Sequence, residues 1–177
     1  FQKTIFITGA GGSIGSELVR QISLLMPKNL ILIDNNEYAL YTIEKEIKDS
    51  LIVNKINVNI VTKLVTIQNI PSLEVIFKEF KPHIVFHAAA YKHVPMLETN
   101  VVETIANNVF GTINLIKLCV SNSVSQFILI STDKAVRPTN IMGATKRISE
   151  ICAQMYNKKN PITKFAIIRF GNVIGSN

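Results

Sequence analysis

The chain has 177 residues, of which 47% are hydrophobic and 18% charged, and its formal net charge is +7. A domain typically uses roughly 100–200 residues, so the length predicts one domain or part of one, and the apolar fraction excludes a disordered chain. No run approaches the roughly 20 apolar residues of a membrane-spanning helix. The start of the chain leads directly into a glycine loop, without the pattern of a signal peptide.

The ends and the cysteines indicate the setting of the chain. It begins with Phe1 and ends at Asn177 just after a Gly-Ser pair, so we expect a piece of a longer protein. Cys119 and Cys152 both fall in helical patterns, which predicts two unpaired thiols in a reducing, cytoplasmic compartment. No Cys/His cluster has the spacing of metal ligands, so no metal site is predicted.

The positive charge comes from 15 lysines and four arginines distributed along the whole sequence. Nucleic-acid binding would call for a clustered basic face or an aromatic motif. The sequence shows neither, so we expect no nucleic-acid partner. We interpret the charge as a solvated surface that also suits anionic small molecules such as nucleotides.

Short apolar runs alternate with longer runs of helical periodicity along the chain. In chain order the patterns predict strand 3–8, helix 13–26, strand 30–34, helix 37–48, strand 59–67, helix 72–80, strand 83–88, helix 98–120, strand 126–131, helix 140–156 and strand 164–170. Strands that alternate with helices indicate a parallel sheet covered on both faces. We therefore predict an α/β fold with a Rossmann-type doubly wound parallel sheet, formed by residues 1–177 as one cofactor-binding domain.

A glycine-rich loop joins the first predicted strand to the first helix. Gly9 permits a tight turn, Gly12 lets the backbone approach a pyrophosphate, and Gly15 lets the helix pack close to the strand. The helix start then favours phosphate anions. The residues predicted to hold the cofactor here are Gly9, Gly11, Gly12, Ser13, Ile14 and Gly15.

An acidic residue closes the second predicted strand. Asp34 lies where a carboxylate accepts hydrogen bonds from the ribose of an adenosine. No Arg or Lys follows within residues 35–37, so a 2′-phosphate has no evident partner. This pattern favours NAD over NADP as the cofactor.

The spacing Gly-x-x-Gly-x-x-Gly resembles the extended short-chain dehydrogenase/reductase superfamily, and the resemblance covers essentially the whole chain. Segments 87–90, 107–112 and 169–175 are similar to the superfamily's cofactor loop, its Asn-Val-x-Gly-Thr helix segment and its motif beside the nicotinamide. The resemblance implies that Asn108 is structural or assists a proton-relay water. It also implies that Asn69 contacts adenine, where relatives usually carry Asp. The further cofactor contacts that it implies are Ala88, Ala89 and Ala90.

The segment 131–147 begins where the fifth strand ends, which is where ligands meet an open parallel sheet. Superfamily members usually carry Ser or Thr at this strand end and then Tyr-x-x-x-Lys on the next helix. Here the lysine is present as Lys146, but the tyrosine position holds Met142, whose thioether cannot transfer protons. Either the domain has lost oxidoreductase chemistry or the proton transfer has moved to another group.

The sequence Thr132-Asp133-Lys134 favours the second explanation. Together with segment 90–98 it resembles the CapD-like UDP-N-acetylglucosamine 4,6-dehydratases of bacterial surface-polysaccharide synthesis, whose large members carry Met in place of Tyr. The resemblance implies hydride removal from sugar C4, loss of water across C5 and C6, and hydride return to C6. The catalytic residues that it implies are Thr132 on the C4 oxygen, Asp133 as the acid, Lys134 as the base, Met142 in place of Tyr, and Lys146 on the nicotinamide ribose.

Other parts of the interpretation stay open at this stage. Lys92 and His93 are candidates for substrate binding and could equally be loop polar groups, and Asn172 is a third candidate. A UDP-sugar 4-epimerase and a non-catalytic NAD-binding module are the alternatives to a dehydratase. We expect most of the sugar pocket beyond residue 177, a homo-oligomer formed through helices 98–120 and 140–156, and membrane contact only through a region outside this chain.

Overall fold

A single sheet of six parallel strands organises the computed structural model, which describes residues 2–173. The strand order is β3-β2-β1-β4-β5-β6, in which the chain starts in the middle and winds outward in both directions. The strands are β1 (Thr4–Thr8), β2 (Asn29–Asp34), β3 (Asn59–Leu64), β4 (Ile84–His87), β5 (Gln126–Thr132) and β6 (Lys164–Phe170). The predicted doubly wound Rossmann-type fold is confirmed.

Seven α-helices and two tighter or wider helical turns connect the strands within residues 2–173. The α-helices are α1 (Ser13–Ser23), α2 (Glu37–Val53), α3 (Ile70–Phe80), α4 (Val94–Thr99), α5 (Val101–Ile105), α6 (Thr112–Ser121) and α7 (Ile141–Lys159). A π-helical segment, Ala106–Gly111, joins α5 to α6, and a 3₁₀ turn, Asp133–Ala135, follows β5. No helix in this part of the chain combines the length and apolarity needed to cross a bilayer.

Alternate side chains of the strands enter two separate cores. Phe6 of β1 faces the core formed with α3 and α6, where its ring meets the Phe77 ring edge-on at 5.1 Å between centroids. Ile5 and Ile7 face the opposite core, which α1 and α2 cover. Successive strand side chains point to opposite faces, and the three central residues of β1 are therefore all apolar, with a threonine at each end.

The predicted helix 98–120 is wrong as one continuous element. The structure divides this stretch into α4, α5, the π-helical segment and α6. The wider π turn inserts extra backbone and so changes which residues face inward. Asn107 and Asn108 are buried as a result, whereas Val102, expected on the apolar face, is 79% exposed.

Two further boundaries differ from the prediction for local reasons. Helix α1 ends at Ser23 because Met26 adopts a left-handed conformation (φ 51°), and Leu25 is therefore exposed instead of buried. Strand β3 ends at Leu64 because its partner β2 ends opposite, at Asp34. An edge strand has no other neighbour to extend its pairing.

Candidate active site

The turn after β1 lies so close to β4 that only glycine fits at its first position. Gly9 has φ +71°, and a Cβ there would lie 2.6 Å from the amide nitrogen of Ala89. A Cβ on Gly15 would overlap the carbonyl oxygen of Gly9, so the start of α1 rests directly on the turn. At Gly12 a Cβ would meet only the Gly9 carbonyl oxygen, at 3.3 Å, and the Gly12 amide N–H donates to that same oxygen at 3.1 Å. Gly9 and Gly15 have the close surroundings that their expected roles require, and the approach of a pyrophosphate to Gly12 stays a prediction.

A groove of about 250 Å³ runs over the carboxyl ends of β1, β2 and β4. Asp34 contributes a carboxylate whose two oxygens accept the Gly11 and Asn36 amide N–H groups at 2.8 and 2.9 Å. The predicted cofactor residues that line this groove are Gly9, Gly11, Gly12, Asp34, Ala88, Ala89 and Ala90. The strand ends thus bring together residues that are up to 81 positions apart in the sequence.

Asn69 is placed differently from the prediction. Its side chain caps α3 by accepting the Ser72 amide N–H at 3.2 Å, and the residue is exposed and does not line the groove. Thr66 and Ile67 line the groove at this point instead. The wall of the groove at this point is therefore formed two to three residues earlier than the alignment with Asn69 suggested.

Asn108 acts as a backbone clamp in the structure. It is 1% exposed, and its side-chain oxygen accepts the Tyr91 amide N–H at 2.8 Å while its amide donates to the Tyr91 carbonyl at 3.0 Å. A further bond to the Thr145 hydroxyl, at 3.2 Å, ties this loop to α7. Of the two roles expected for Asn108, this geometry supports the structural one.

Sequence reasoning gave no role to His87, a fully buried residue beneath the cofactor loop. Its Nδ1 and Nε2 each lie 2.8 Å from a threonine hydroxyl, those of Thr8 and Thr112. Because Thr112 donates its own proton to the Asn108 carbonyl, at 2.6 Å, it must accept from Nε2, which makes His87 the neutral Nε2–H tautomer. Burial, and then the charge of Lys146, lower the pKa of His87 to about 3.

A second cavity, of about 220 Å³, lies at the carboxyl ends of β5 and β6 beside the start of α7. The cavity shares Ala88 and Ala90 with the first groove, so the two form one continuous path across the sheet edge. The predicted site residues that line it are Thr132, Lys134, Met142, Lys146, Asn172, Lys92, Ile14, Ala88 and Ala90. The structure therefore brings the predicted catalytic residues, apart from Asp133 at its margin, to one cavity.

Met142 and Lys146 are one helical turn apart on α7 and both face this cavity. The Lys146 amine donates to the Ile130 carbonyl at 2.9 Å, which holds it near the carboxyl end of β5. Burial lowers the pKa of Lys146 to about 8, against the opposing charge of Glu150. The lysine is therefore close to losing its proton near neutral pH.

Thr132, Asp133, Lys134 and Asn172 form a hydrogen-bonded chain across the mouth of the cavity. The Thr132 hydroxyl donates to Asp133 Oδ1 at 2.9 Å, and Lys134 Nζ contacts the same oxygen at 3.3 Å. Lys134 Nζ also donates to Asn172 Oδ1 at 2.9 Å. Lys134 therefore contacts both the carboxylate of Asp133 and the side-chain amide of Asn172.

The charge state of Asp133 differs from the protonated form that its expected role as the acid requires. The hydrogen bonds from Thr132 and Lys134 lower the pKa of the Asp133 carboxyl, and its side chain is 59% exposed. An exposed carboxylate keeps its hydration, so burial cannot favour the neutral form here. In this arrangement Asp133 is a carboxylate.

The loop after β4 forms the wall of a third cavity, of about 450 Å³. Lys92 lines both this cavity and the catalytic one, whereas His93 lines only the third. Ser13, Ile14 and Gly15 also line it, which joins it to the glycine turn.

Of the strand-six motif, Ile174 and Gly175 lie outside the described residues.

Sequence reasoning also missed Glu150, a carboxylate with no exposed surface. It accepts hydrogen bonds from the Ser131 hydroxyl at 2.7 Å and from Arg169 Nε and Nη2 at 2.7 and 2.6 Å, and Arg147 adds a contact at 3.1 Å. Burial by itself would raise the pKa of Glu150, but the bonds from Arg169, Ser131 and Arg147 bring it below its usual value. The available signal was its position one turn after Lys146 on the same face of the helix.

Comparison with known proteins assigns the chain to a family. Residues 5–177 match the family described as "Polysaccharide biosynthesis protein". The chain belongs to this family. It is 47% identical over 174 residues to the capsular polysaccharide biosynthesis protein CapD of Staphylococcus aureus, a match that covers 98% of this chain and 28% of that protein. The expected CapD-like, extended short-chain dehydrogenase/reductase type is confirmed.

Two further similarities involve nucleotide-sugar enzymes. The chain is 34% identical to a UDP-N-acetylglucosamine 4,6-dehydratase (inverting) of Campylobacter jejuni, with 98% of this chain and 50% of that protein covered. The structure superposes on a UDP-Glc/GlcNAc 4-epimerase from Campylobacter jejuni with a TM-score of 0.87 at 24% identity, covering 99% of this chain and 55% of the other. The latter likeness shows a shared fold. The chain spans half or less of the curated relatives it matches here.

Proposed function

We propose that this chain holds the cofactor and the acid/base residues of a nucleotide-sugar 4,6-dehydratase that acts on UDP-N-acetylglucosamine in surface-polysaccharide synthesis. The observation that carries the proposal is the hydrogen-bonded chain of Thr132, Asp133, Lys134 and Asn172 in the cavity that Lys146 lines. This cavity continues into the groove above the glycine turn. The 34% identical dehydratase supports the same reaction.

The residues of the groove fit NAD. Ser13 and Ile14, whose N–H groups begin α1, line the cavity beside the glycine turn, and the start of a helix favours a pyrophosphate there. Asp34 lines the groove with a carboxylate, and Asn35 and Asn36 add no positive charge for a 2′-phosphate. Bound NAD would accept a hydride from sugar C4 and return it to C6. Lys146 would hold the nicotinamide ribose.

Lys134 is the base in the proposed elimination. Once C4 is a ketone, the C5–H bond is acidic, and the Lys134 amine takes that proton in its neutral form. The C6–O bond then breaks, and the departing hydroxyl leaves as water with the proton supplied by Asp133. Return of the hydride to C6 and of a proton to C5 then gives a UDP-4-keto-6-deoxy sugar, and no net oxidation occurs.

Asp133 must gain a proton before it can act as this acid. Its carboxylate is exposed, and bonds from Thr132 and Lys134 favour the charged form. A sugar seated over the cavity mouth would remove water from Asp133, and desolvation raises a carboxyl pKa. Substrate binding would therefore prepare Asp133 to hold a proton that it receives during the reaction.

The proton of the C4 hydroxyl needs an acceptor because Met142 has none to offer. Thr132 lies at the cavity wall and already donates its proton to Asp133 at 2.9 Å. A proton from C4–OH can therefore pass to Asp133 through the Thr132 hydroxyl. This path would also give Asp133 the proton that it donates in the later step.

The identity of the product distinguishes this proposal from its alternatives. Full-length protein is incubated with UDP-N-acetylglucosamine and NAD, and the nucleotide sugars are separated and identified by NMR. A UDP-4-keto-6-deoxy sugar is the expected product. UDP-N-acetylgalactosamine would instead assign the site to a 4-epimerase, which needs no acid/base pair at C5 and C6. NAD binding without any turnover would assign it to a non-catalytic module.

A further inference from the structure

The edge of the sheet opposite the candidate active site carries an unusual concentration of positive charge. In a parallel sheet every connection from a helix to the next strand lies at the amino edge. Four lysines lie just before the first four strands along the chain, namely Lys3, Lys28, Lys55 and Lys81. Lys158 and Lys159 end α7, and Lys164 begins β6. The fold thus gathers lysines that look scattered in the sequence.

Acidic residues are missing from the same edge. The connections 2–3, 24–28, 54–58, 81–83, 122–125 and 160–163 contain no Asp or Glu. The closest carboxylates along the chain are Asp49, in α2, and Glu79, which forms an ion pair with Lys63 at 3.2 Å. Each of the five helix ends at this edge contributes roughly half a negative charge. The total positive charge of the seven lysines therefore exceeds the total negative charge of the helix ends.

Exposed apolar side chains lie among these lysines. Leu24 and Leu25 follow α1 and are 51% and 57% exposed, while Ile52 and Val53 end α2 and are 75% and 80% exposed. The two helices cover the same core, so their ends are neighbours. Lysines at helix ends stabilise the helix dipole, but that effect gives no reason for four exposed aliphatic side chains beside them.

We infer that this basic and apolar edge, hereafter the amino edge, binds the surface of an anionic lipid bilayer. Lysine-rich surfaces with protruding aliphatic side chains combine attraction to anionic headgroups with shallow insertion at the acyl boundary. Charge complementarity selects the anionic bilayer as the occupant. The edge has no carboxylate in its connections that could pair with a basic surface, whereas its lysines attract anionic headgroups. Bound in this way, the domain would direct its nucleotide groove away from the bilayer.

Vesicle flotation tests the inference. The purified chain, checked for folding by circular dichroism, is mixed with vesicles of phosphatidylcholine alone or with phosphatidylglycerol added. Binding is expected to the anionic vesicles and to weaken as salt rises. Equal binding to both kinds of vesicle, or none to either, would overturn the inference.

Matched variants locate the binding surface. Lys28→Gln/Lys55→Gln is expected to weaken anionic-vesicle binding about 30-fold, which corresponds to about 1 kcal/mol per lysine. Leu25→Ser/Ile52→Ser should weaken it at unchanged charge. Lys45→Gln/Arg137→Gln removes two exposed charges elsewhere and should leave binding unchanged, so an equal loss there would reject the amino edge. The chain could instead form a dimer that Leu25→Ser/Ile52→Ser dissociates, and bind no vesicles. That result would overturn the inference and assign the edge to a second copy of the chain.

Discussion

Gly15 is the position where the phosphate-binding turn leaves the least room for a side chain. An added Cβ would overlap the Gly9 carbonyl oxygen, whereas the same atom at Gly12 would only touch that oxygen at 3.3 Å. We expect Gly15→Ala to lower the free energy of unfolding by about 1–3 kcal/mol, the usual range for overpacking. Urea denaturation of the variant and of the parent protein measures the change.

Gly12→Ala provides the matched control at the neighbouring turn position. It should stay within about 1 kcal/mol of the parent in unfolding free energy, since its backbone is ordinary (φ −73°). Because Gly12 faces the groove, NAD affinity should still fall. Equal stability losses in both variants would show that the close contact at Gly15 is not the cause.

Lys146 makes the stability of the protein depend on pH in a defined window. Burial lowers its pKa from 10.5 to about 8 in the folded state, so between these values the unfolded chain binds more protons. Stability attributable to Lys146 therefore rises as pH increases from about 8 to about 10.5. Lys146→Met should remove this rise, as measured by urea denaturation across the window.

Another buried group titrates in the same range and must be separated from Lys146. Burial raises the pKa of the Cys119 thiol, so its contribution falls as the unfolded thiol ionises at high pH. Both proteins carry Cys119, and the difference between their two curves isolates the lysine. Curves that stay parallel from pH 8 to 10.5 would contradict the lowered pKa.

At the scale of elements, Glu150 of α7 holds the ends of two strands together. Its carboxylate binds Ser131 at the end of β5 and both Nε and Nη2 of Arg169 near the end of β6. Thr132 follows Ser131 directly, and Asn172 lies three residues after Arg169. The positions of Lys134 and Asn172 relative to each other therefore depend on this buried carboxylate.

Removing the Glu150 charge should destabilise the protein more than removing an exposed one. Glu150→Gln leaves two guanidinium groups without their anion, and we expect a loss of about 3 kcal/mol, at the low end for buried pairs because both arginines are partly exposed. Glu17→Gln breaks an exposed pair with Arg20 and should leave the urea midpoint almost unchanged. Similar urea midpoints for the two variants would contradict the role of Glu150 in holding the ends of β5 and β6 together.

The elements also show why sequence periodicity succeeds in some places and fails in others. Leu40, Ile43 and Ile47 of α2 are buried as their spacing predicts, because α2 is a regular helix over one core. The stretch from Val94 to Ser121 contains a π-helical segment, and a constant period of 3.6 residues cannot follow it. Its buried asparagines serve the loop at Tyr91, a contact that no local pattern shows.

At the scale of the whole molecule, the doubly wound parallel sheet and most of the candidate site follow from the alternation of elements and from motif positions. The carboxyl ends of parallel strands lie at one edge of a sheet, so Asp34, Thr132 and Lys134 could be assigned to that edge without coordinates. Glu150 and His87 could not, because their roles depend on partners such as Arg169 and Thr112 that only folding brings near. The lysines of the amino edge are a further case, since their clustering arises from topology alone.

Solvent-deuterium labelling at C5 tests the proposed dehydratase most directly. Full-length protein converts UDP-N-acetylglucosamine in D₂O, and the product is analysed by mass spectrometry and NMR. We predict one deuterium at C5, and loss of product formation in Lys134→Ala but not in Lys164→Ala, a lysine of the opposite edge. Product that retains hydrogen at C5, or that forms at the parent rate in Lys134→Ala, would contradict the role of Lys134 as the base.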